Sequence, residues 1–365
     1  MSAGRRRRRG ACVLVAVVVG VWVAVCLGAP PARAAADGTR NTAGGCAGKG
    51  YVTNSVRSTV SVIATATGKV SDTIKVRRVS TRRVDYLGGA EGVAITPDGK
   101  RVYVTNEGDG TVSVITTATG KVSDTIKVGK GPSAVAISPD GMYVYVANLN
   151  DFSTENGTVS VITTATGLVA GTIRVSGAPT GVAITPDGMY AYVTTAHVPF
   201  DGTVSVIATA TGEVANTIPF GGTPFAVALA PDGRYAYVTN TTTEKVSVIA
   251  TATGEVANTI PVGTSPAAVV ITPDGKHAYV ANLNSDTVSV ISTATGKKSD
   301  TIKIDSPHDV AITPDGKHVY VISWSDPGTV SVITAANGAV REKTTLGGGL
   351  FGVAICPERK PQQRP

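Results

Sequence analysis

The chain has 365 residues and a formal net charge of +7, from 33 Lys+Arg against 26 Asp+Glu. Six of those cations (Arg5 to Arg9 and Arg33) and none of the acids fall in the first 36 residues, so the remainder carries 27 against 26, a balance of +1. That excludes a basic mature protein and removes net charge as an argument for nucleic-acid binding.

The first segment reads as an export signal. Arg5 to Arg9 precede an apolar, Val/Ala-rich run from Ala11 to Gly28, and "PARAAADG" offers small-residue cleavage positions after Ala34 or Ala36. A secreted or cell-surface protein is expected, with an N-terminus at Ala35 or Asp37 and no stable membrane insertion. The apolar run is just long enough to span a bilayer, so an uncleaved signal anchor is the alternative. A lipoprotein at Cys26 is disfavoured, because "VAVC" lacks a small residue before the cysteine. The arginines allow the twin-arginine route, but the residues after them do not fit its pattern.

A linker over 37–47 leads into a repeat over 48–358, and a basic, Pro-containing tail closes the chain at 359–365. The tyrosine of a "YV" run recurs at Tyr51, Tyr103, Tyr145, Tyr192, Tyr237, Tyr279 and Tyr320, with a basic period of 42 residues. "VSVI-x-TATG" follows each, as "AANG" in the last copy, and "PDG" precedes six of the seven. Each unit holds four short β-branched runs, A to D, separated by turn signals. "TPDG" predicts a type I turn closed by a left-handed Gly, and "TATG" links C to D in the same way. Four antiparallel strands per unit predict an all-β, seven-bladed β-propeller.

An open solenoid is the alternative, and the chain ends argue against it. The first unit begins at strand B, whereas "LFGVAICPERK" is a lone strand A. Joined, they complete a seventh blade and remove the exposed sheet edges. Cys12 and Cys26 leave with the signal, and Cys46 and Cys356 remain. Aligned on the first full unit, these two fall two residues apart across the missing A–B turn. A disulfide stapling the ring is therefore expected.

"YVTN", "VSVI-x-TATG", "TI-x-VG" and "P-x-x-VAITPDG" resemble the YVTN-type β-propeller repeat of archaeal surface-layer and exported bacterial proteins. The resemblance spans 48–358 and implies a surface or periplasmic binding or structural module, with lactonases and lyases among related propellers. The chain departs from it at Ala64, Thr116, Thr163, Ala208, Ala250, Ser292 and Thr334, where the family commonly has Asp. A threonine at the following position is expected to take over that hydrogen bond.

The A–B and C–D turns keep a nearly constant length, whereas the D–A and B–C connections vary. "RRVSTRRVDYLGGAEG", "NLNDFSTENG" and "TTAHVPFDG" all fall on the one face that holds the channel mouth, where function is expected. The residue two before each "VAI"-type run varies most: Glu91, Ser133, Thr180, Phe225, Ala267, His308 and Phe351. Asp309 replaces the Gly or Ala that follows in the other six. Glu91, His308 and Asp309 could serve acid–base chemistry or hold a divalent metal, but hydrated groups at a solvated mouth are the simpler expectation.

His277 and His318 open strand B on the other face and read as repeat drift. No Ser–His–Asp order, zinc-ligand spacing, phosphate loop or calcium loop is present. A non-catalytic, cofactor-free monomer is the resulting expectation, binding a protein, glycan or wall polymer through Phe225, Phe351, Trp324, Phe152, His197 and Arg77, Arg78, Arg82 and Arg83. The runner-up is a lactonase- or lyase-like enzyme using Glu91, His308 and Asp309. A further alternative is polyanion binding through the arginine run, with nucleic acid disfavoured because only Tyr86 is nearby for stacking. The PDG/TATG face is expected to hold no distinctive site.

Overall fold

The computed structural model describes residues 13–15, 23–25, 45–76, 89–149, 156–197 and 201–357. Met1–Ala43 and Gly44–Pro365 are separate compact units. In the first, Val13–Val15 pairs antiparallel with Val23–Val25. Among the described residues, no helix is long and apolar enough to cross a membrane.

The second unit contains seven four-stranded antiparallel sheets, each in the order A-B-C-D. Blade 1 joins Leu350–Ile355 (A) to Lys49–Asn54, Thr59–Ala64 and Val70–Lys75, so both chain ends meet in one sheet. Blades 2 to 7 begin at strand A with Ala90–Ile95, Pro132–Ile137, Ala178–Ile184, Pro224–Leu229, Pro266–Ile271 and Pro307–Ile312. Each strand A packs beside the A strands of the neighbouring blades, and these strands form the innermost circle of the ring.

The apolar alternation of strands B and C explains how the blades stack. Tyr51, Val60, Val62 and Ile74 of blade 1 bury against Val102, Val104 and Ile115 of blade 2. Equivalent clusters fill the other blade interfaces. The repeat tyrosine is buried, and its hydroxyl reaches across the interface, as where Tyr320 Oη donates to the Thr65 carbonyl at 2.9 Å.

The turns follow the sequence expectation. Gly99 and Gly188 close A–B turns at φ +68° and +74°, and Asp98 Oδ1 accepts from Thr96 Oγ1 at 2.6 Å and from the Lys100 backbone at 3.0 Å. After five of the seven departed Asp positions the following threonine bonds to the neighbouring turn, and blade 7 has Ala335 there instead. Thr117, Thr164, Thr209, Thr251 and Thr293 donate to the carbonyls of Gly99, Gly141, Gly188, Gly233 and Gly275 at 2.6–2.7 Å. Each such bond ties the C–D turn to the A–B turn of its own blade.

Cys46 and Cys356 form a disulfide with Cα atoms 5.7 Å apart, across the interruption in blade 1. Both are buried, and a Cβ on Gly99 of blade 2 would lie 2.9 Å from Cys46 Sγ. In blade 3, Gly141 packs in the same way against Pro97 of blade 2. The disulfide thus occupies the place that an A–B turn fills in a continuous blade.

Candidate functional site

Strand A is not a regular partner of strand B. In every blade the register slips where the variable residue and its successor oppose a single strand-B position. In blade 2, Ala90 pairs with Asn106 and Val93 with Val104, leaving Glu91 and Gly92 opposite Thr105. This is a β-bulge, a device that re-aims a side chain and interrupts the ladder. All seven variable residues sit on such bulges at the D–A/B–C end of the ring.

The threonine of "YVTN" fills the gap and links blades. Thr105 Oγ1 accepts from Gly92 N at 2.8 Å and donates to the Ser133 carbonyl of blade 3 at 3.1 Å. Thr53 accepts from Gly352 N and donates to the Glu91 carbonyl, and Thr194 donates to the Phe225 carbonyl at 2.8 Å. In blades 1, 2 and 4 the repeat threonine is therefore an inter-blade stitch, whereas Thr239 of blade 5 bonds to Ala226 of its own blade and blades 3 and 6 carry Ala147 and Ala281 there.

Blade 7 has Ile322 at this position and cannot make that bond. Its strand A supplies substitutes. His308 Nδ1 donates to the Phe351 carbonyl at 3.0 Å, the acceptor that a threonine would have taken. Since a carbonyl can only accept, the proton is on Nδ1. Asp309 Oδ1 accepts from Val310 N, and Oδ2 accepts from Val353 N of blade 1, both at 2.8 Å.

These contacts correct the expectation of hydrated groups. Glu91 and His308 are 4% and 8% exposed, and Asp309 is partly buried. Burial pulls the His308 imidazole down to about 4, against a smaller opposing effect of its carbonyl bond. Burial raises the Asp309 carboxyl to about 6, against its two backbone hydrogen bonds. Glu91 lies well above the usual carboxylate range, first through burial and then through the charge of Glu107, to which it is hydrogen-bonded. At neutral pH His308 is uncharged.

Glu107 was missed from the sequence. It follows the strand-B asparagine, the position of Trp324 in blade 7, and alignment of those positions is the signal that could have found it. The His308 ring lies 5.6 Å from the Trp324 ring and 4.6 Å from the Phe351 ring, centroid to centroid, each pair tilted by 55°. Since Gly352 abuts the Glu91 carbonyl (a Cβ there would come within 2.6 Å), one arc of the mouth runs Trp324, His308, Phe351, Glu91. Ser133 continues it, with its buried Oγ lacking a partner among the described residues.

Phe225 lies on the bulge of blade 5, outside this arc. His197 sits at the end of strand B in blade 4, packed over Gly177, with its buried Nε2 lacking a partner among the described residues. Arg77, Arg78, Arg82, Arg83, Tyr86 and Phe152 lie outside the described residues. Among the described residues, no three of His, Cys, Asp and Glu cluster as metal ligands.

The family model described as "Lactonase, 7-bladed beta-propeller" matches residues 36–185 and 182–301. The chain belongs to this lactonase family of seven-bladed propellers. The match includes Glu91 and Glu107 but stops before His308, Trp324 and Phe351. No curated protein matches the chain.

Among solved structures, hydrazine synthase of Kuenenia stuttgartiensis is similar at 23% identity and TM-score 0.67, over 82% of this chain and 98% of that one. A functionally unknown protein from Desulfotomaculum acetoxidans DSM 771 is similar at 21% identity and TM-score 0.72, over 86% and 100%. At such identities these likenesses speak to the fold alone. The family match supports a lactonase-type propeller, while the YVTN character remains a resemblance carried by the repeat motifs.

Proposed function

We propose that this lactonase-family propeller is exported and holds a neutral, hydroxyl-bearing ring ligand, such as a glycan or wall-polymer sugar, across the Trp324–His308–Phe351–Glu91 arc. The observation that carries this reading is the division of that arc. One end is aromatic, with Trp324 and Phe351 each packed against His308. The other end offers the buried Glu91 carboxyl, hydrogen-bonded to Glu107, and the Ser133 hydroxyl, which has no partner among the described residues. Flat apolar rings suit a sugar face, and a carboxylic acid and a hydroxyl suit its edge. His308 and Asp309 are committed to bonds that hold blade 7 to blade 1, which argues for binding over acid–base chemistry at that pair.

Trp324 and Trp22 are the two tryptophans, so signal removal leaves Trp324 as a single fluorophore. Titrating the secreted protein with a neutral-glycan panel should change its emission, and Phe351→Ala should weaken binding about tenfold or more with little change in thermal stability. A panel that leaves the emission unchanged, or a variant that binds as well as wild type, refutes the reading.

The family match and the carboxyl pair favour a second reading, lactone hydrolysis. Glu107 as carboxylate would take a proton from water as the water oxygen bonds to the lactone carbonyl carbon. Glu91 would protonate the ring oxygen as its bond to that carbon breaks. Acid release from sugar lactones above the spontaneous rate, lost in Glu107→Gln, would establish this reading over simple binding.

A further inference from the structure

The opposite face is less uniform than its turn motifs suggest. Neighbouring A–B turns touch around the ring: a Cβ on Gly188 would meet Pro139 at 3.7 Å, and one on Gly233 would meet Pro186 at 3.5 Å. In four blades the residue after "PDG" is Lys100, Arg234, Lys276 or Lys317. Each pairs with the aspartate of its own turn, at 3.2, 2.8, 3.5 and 3.3 Å. Blades 3 and 4 break this rule. They carry Met142 and Met189, 54% and 58% exposed, followed by the exposed Tyr143 and Tyr190. Tyr235 is exposed at the same position in blade 5, and Leu168 is exposed at the start of strand D in blade 3, two strands from Tyr143.

Replacing those lysines leaves two acids without a cation. Asp140 and Asp187 are in no ion pair among the described residues. Bonds from Ser138 or Thr185, and from the Met142 or Met189 backbone, hold both carboxyls below their ordinary range. They stay charged at neutral pH. The sector is therefore apolar and aromatic at its centre, with two fixed negative charges inside it and two arginines at its borders, Arg101 on the Thr164 carbonyl and Arg234 paired with Asp232.

We propose that this sector of blades 3 to 5 is a docking surface for a polypeptide that presents aliphatic or aromatic side chains flanked by Lys or Arg. Methionine and aromatic side chains are enriched where interfaces are fully buried, and contiguous exposed apolar patches mark interaction sites. The unpaired carboxylates ask for cations, and the tyrosine faces accept them as well. The same charges disfavour an anionic membrane, and a second copy meeting patch to patch would set Asp140 and Asp187 against their own kind. The surface is built on short closed turns, so little order is lost on binding. It replaces the expectation of a featureless PDG/TATG face, and it stands independently of the reading of the mouth.

The test is selection from a random-peptide display library on the full chain, with Met142→Lys/Met189→Lys as counter-target. Those lysines are what blades 2, 6 and 7 carry, so thermal stability should hold. Enriched peptides should combine Leu, Ile, Phe or Trp with Lys or Arg. They should bind the lysine variant at least about tenfold more weakly, and Asp140→Asn/Asp187→Asn should bind them less and with a flatter salt dependence. The proposal is overturned by acidic consensus sequences, or by peptides that bind both proteins equally. It is also overturned by a library that yields no variant-sensitive binder. Variant-sensitive self-association in sedimentation velocity, or variant-sensitive sedimentation with phosphatidylserine vesicles, would assign the patch to those occupants instead.

Discussion

In blade 7 a branched apolar side chain, Ile322, stands where a threonine hydroxyl would bridge two blades, and an imidazole and a carboxyl do that work instead. The substitution makes local stability depend on pH in two opposing ways. His308 titrates at about 4 in the fold against 6.5 when unperturbed, so its contribution is full above pH 6.5 and falls away as pH drops towards 4. Asp309 titrates at about 6 against 3.8, so its contribution is full below pH 3.8 and is lost as pH rises through 6. Each is worth up to about 3 kcal/mol across its window, and in the wild type the two slopes offset one another. His308→Asn keeps a donor towards the Phe351 carbonyl but cannot titrate. Denaturant unfolding between pH 4 and 6.5 should then show stability falling as pH rises, while Asp309→Asn should show the reverse; parallel pH profiles in all three proteins would contradict this. The sequence singled out all three ionisable residues by position. Their burial was not legible, because it depends on a bulge and on the identity of a residue thirteen or fourteen places away.

At the scale of the element, the strand-A bulge decides which side chains reach the mouth, and two glycines separate its geometry from that of the turn. Gly188 lies in an A–B turn at φ +74°, and a Cβ there would meet only Pro139 at 3.7 Å, an ordinary contact. Its replacement by Ala should therefore cost about 1–2 kcal/mol through the backbone alone, leaving ligand affinity at the mouth unchanged. Gly181 lies on a bulge, where a Cβ would come within 2.7 Å of the Phe225 carbonyl and 2.9 Å of Thr194 Oγ1. Gly181→Ala should push blades 4 and 5 apart, lowering thermal stability and shifting Phe225 as well. Equal behaviour of the two variants in paired melting and binding measurements would contradict the bulge as a positioning element. Strands and turns were legible from β-branched runs and from "PDG" and "TATG". The bulges were not, since a slip of one residue leaves composition and period unchanged.

For the whole molecule, the central question is what keeps a ring of seven similar blades closed. In chain order strand D of every blade is followed by strand A of the next, so the break falls inside blade 1, which is assembled from both ends of the repeat. Its strand A is held to strand B by a short ladder, by Cys356 N donating to the Lys49 carbonyl at 3.0 Å, and by the disulfide. Closure was legible because one end lacks the strand that the other has in excess, and because the two cysteines align across the missing turn. The disulfide spans 310 residues of chain. For a loop of that length, chain entropy sets an upper bound of about 5–6 kcal/mol on its stabilisation. Cys46→Ser with Cys356→Ser should therefore melt at a lower temperature than the wild type while keeping its β circular dichroism. The inter-blade cores on both sides of blade 1 do not depend on the sulfurs. Exchange of backbone amides should quicken first in Leu350–Ile355, the strand whose attachment the staple secures. Faster exchange spread evenly over all seven blades would instead mean that the staple acts on the unfolded chain alone.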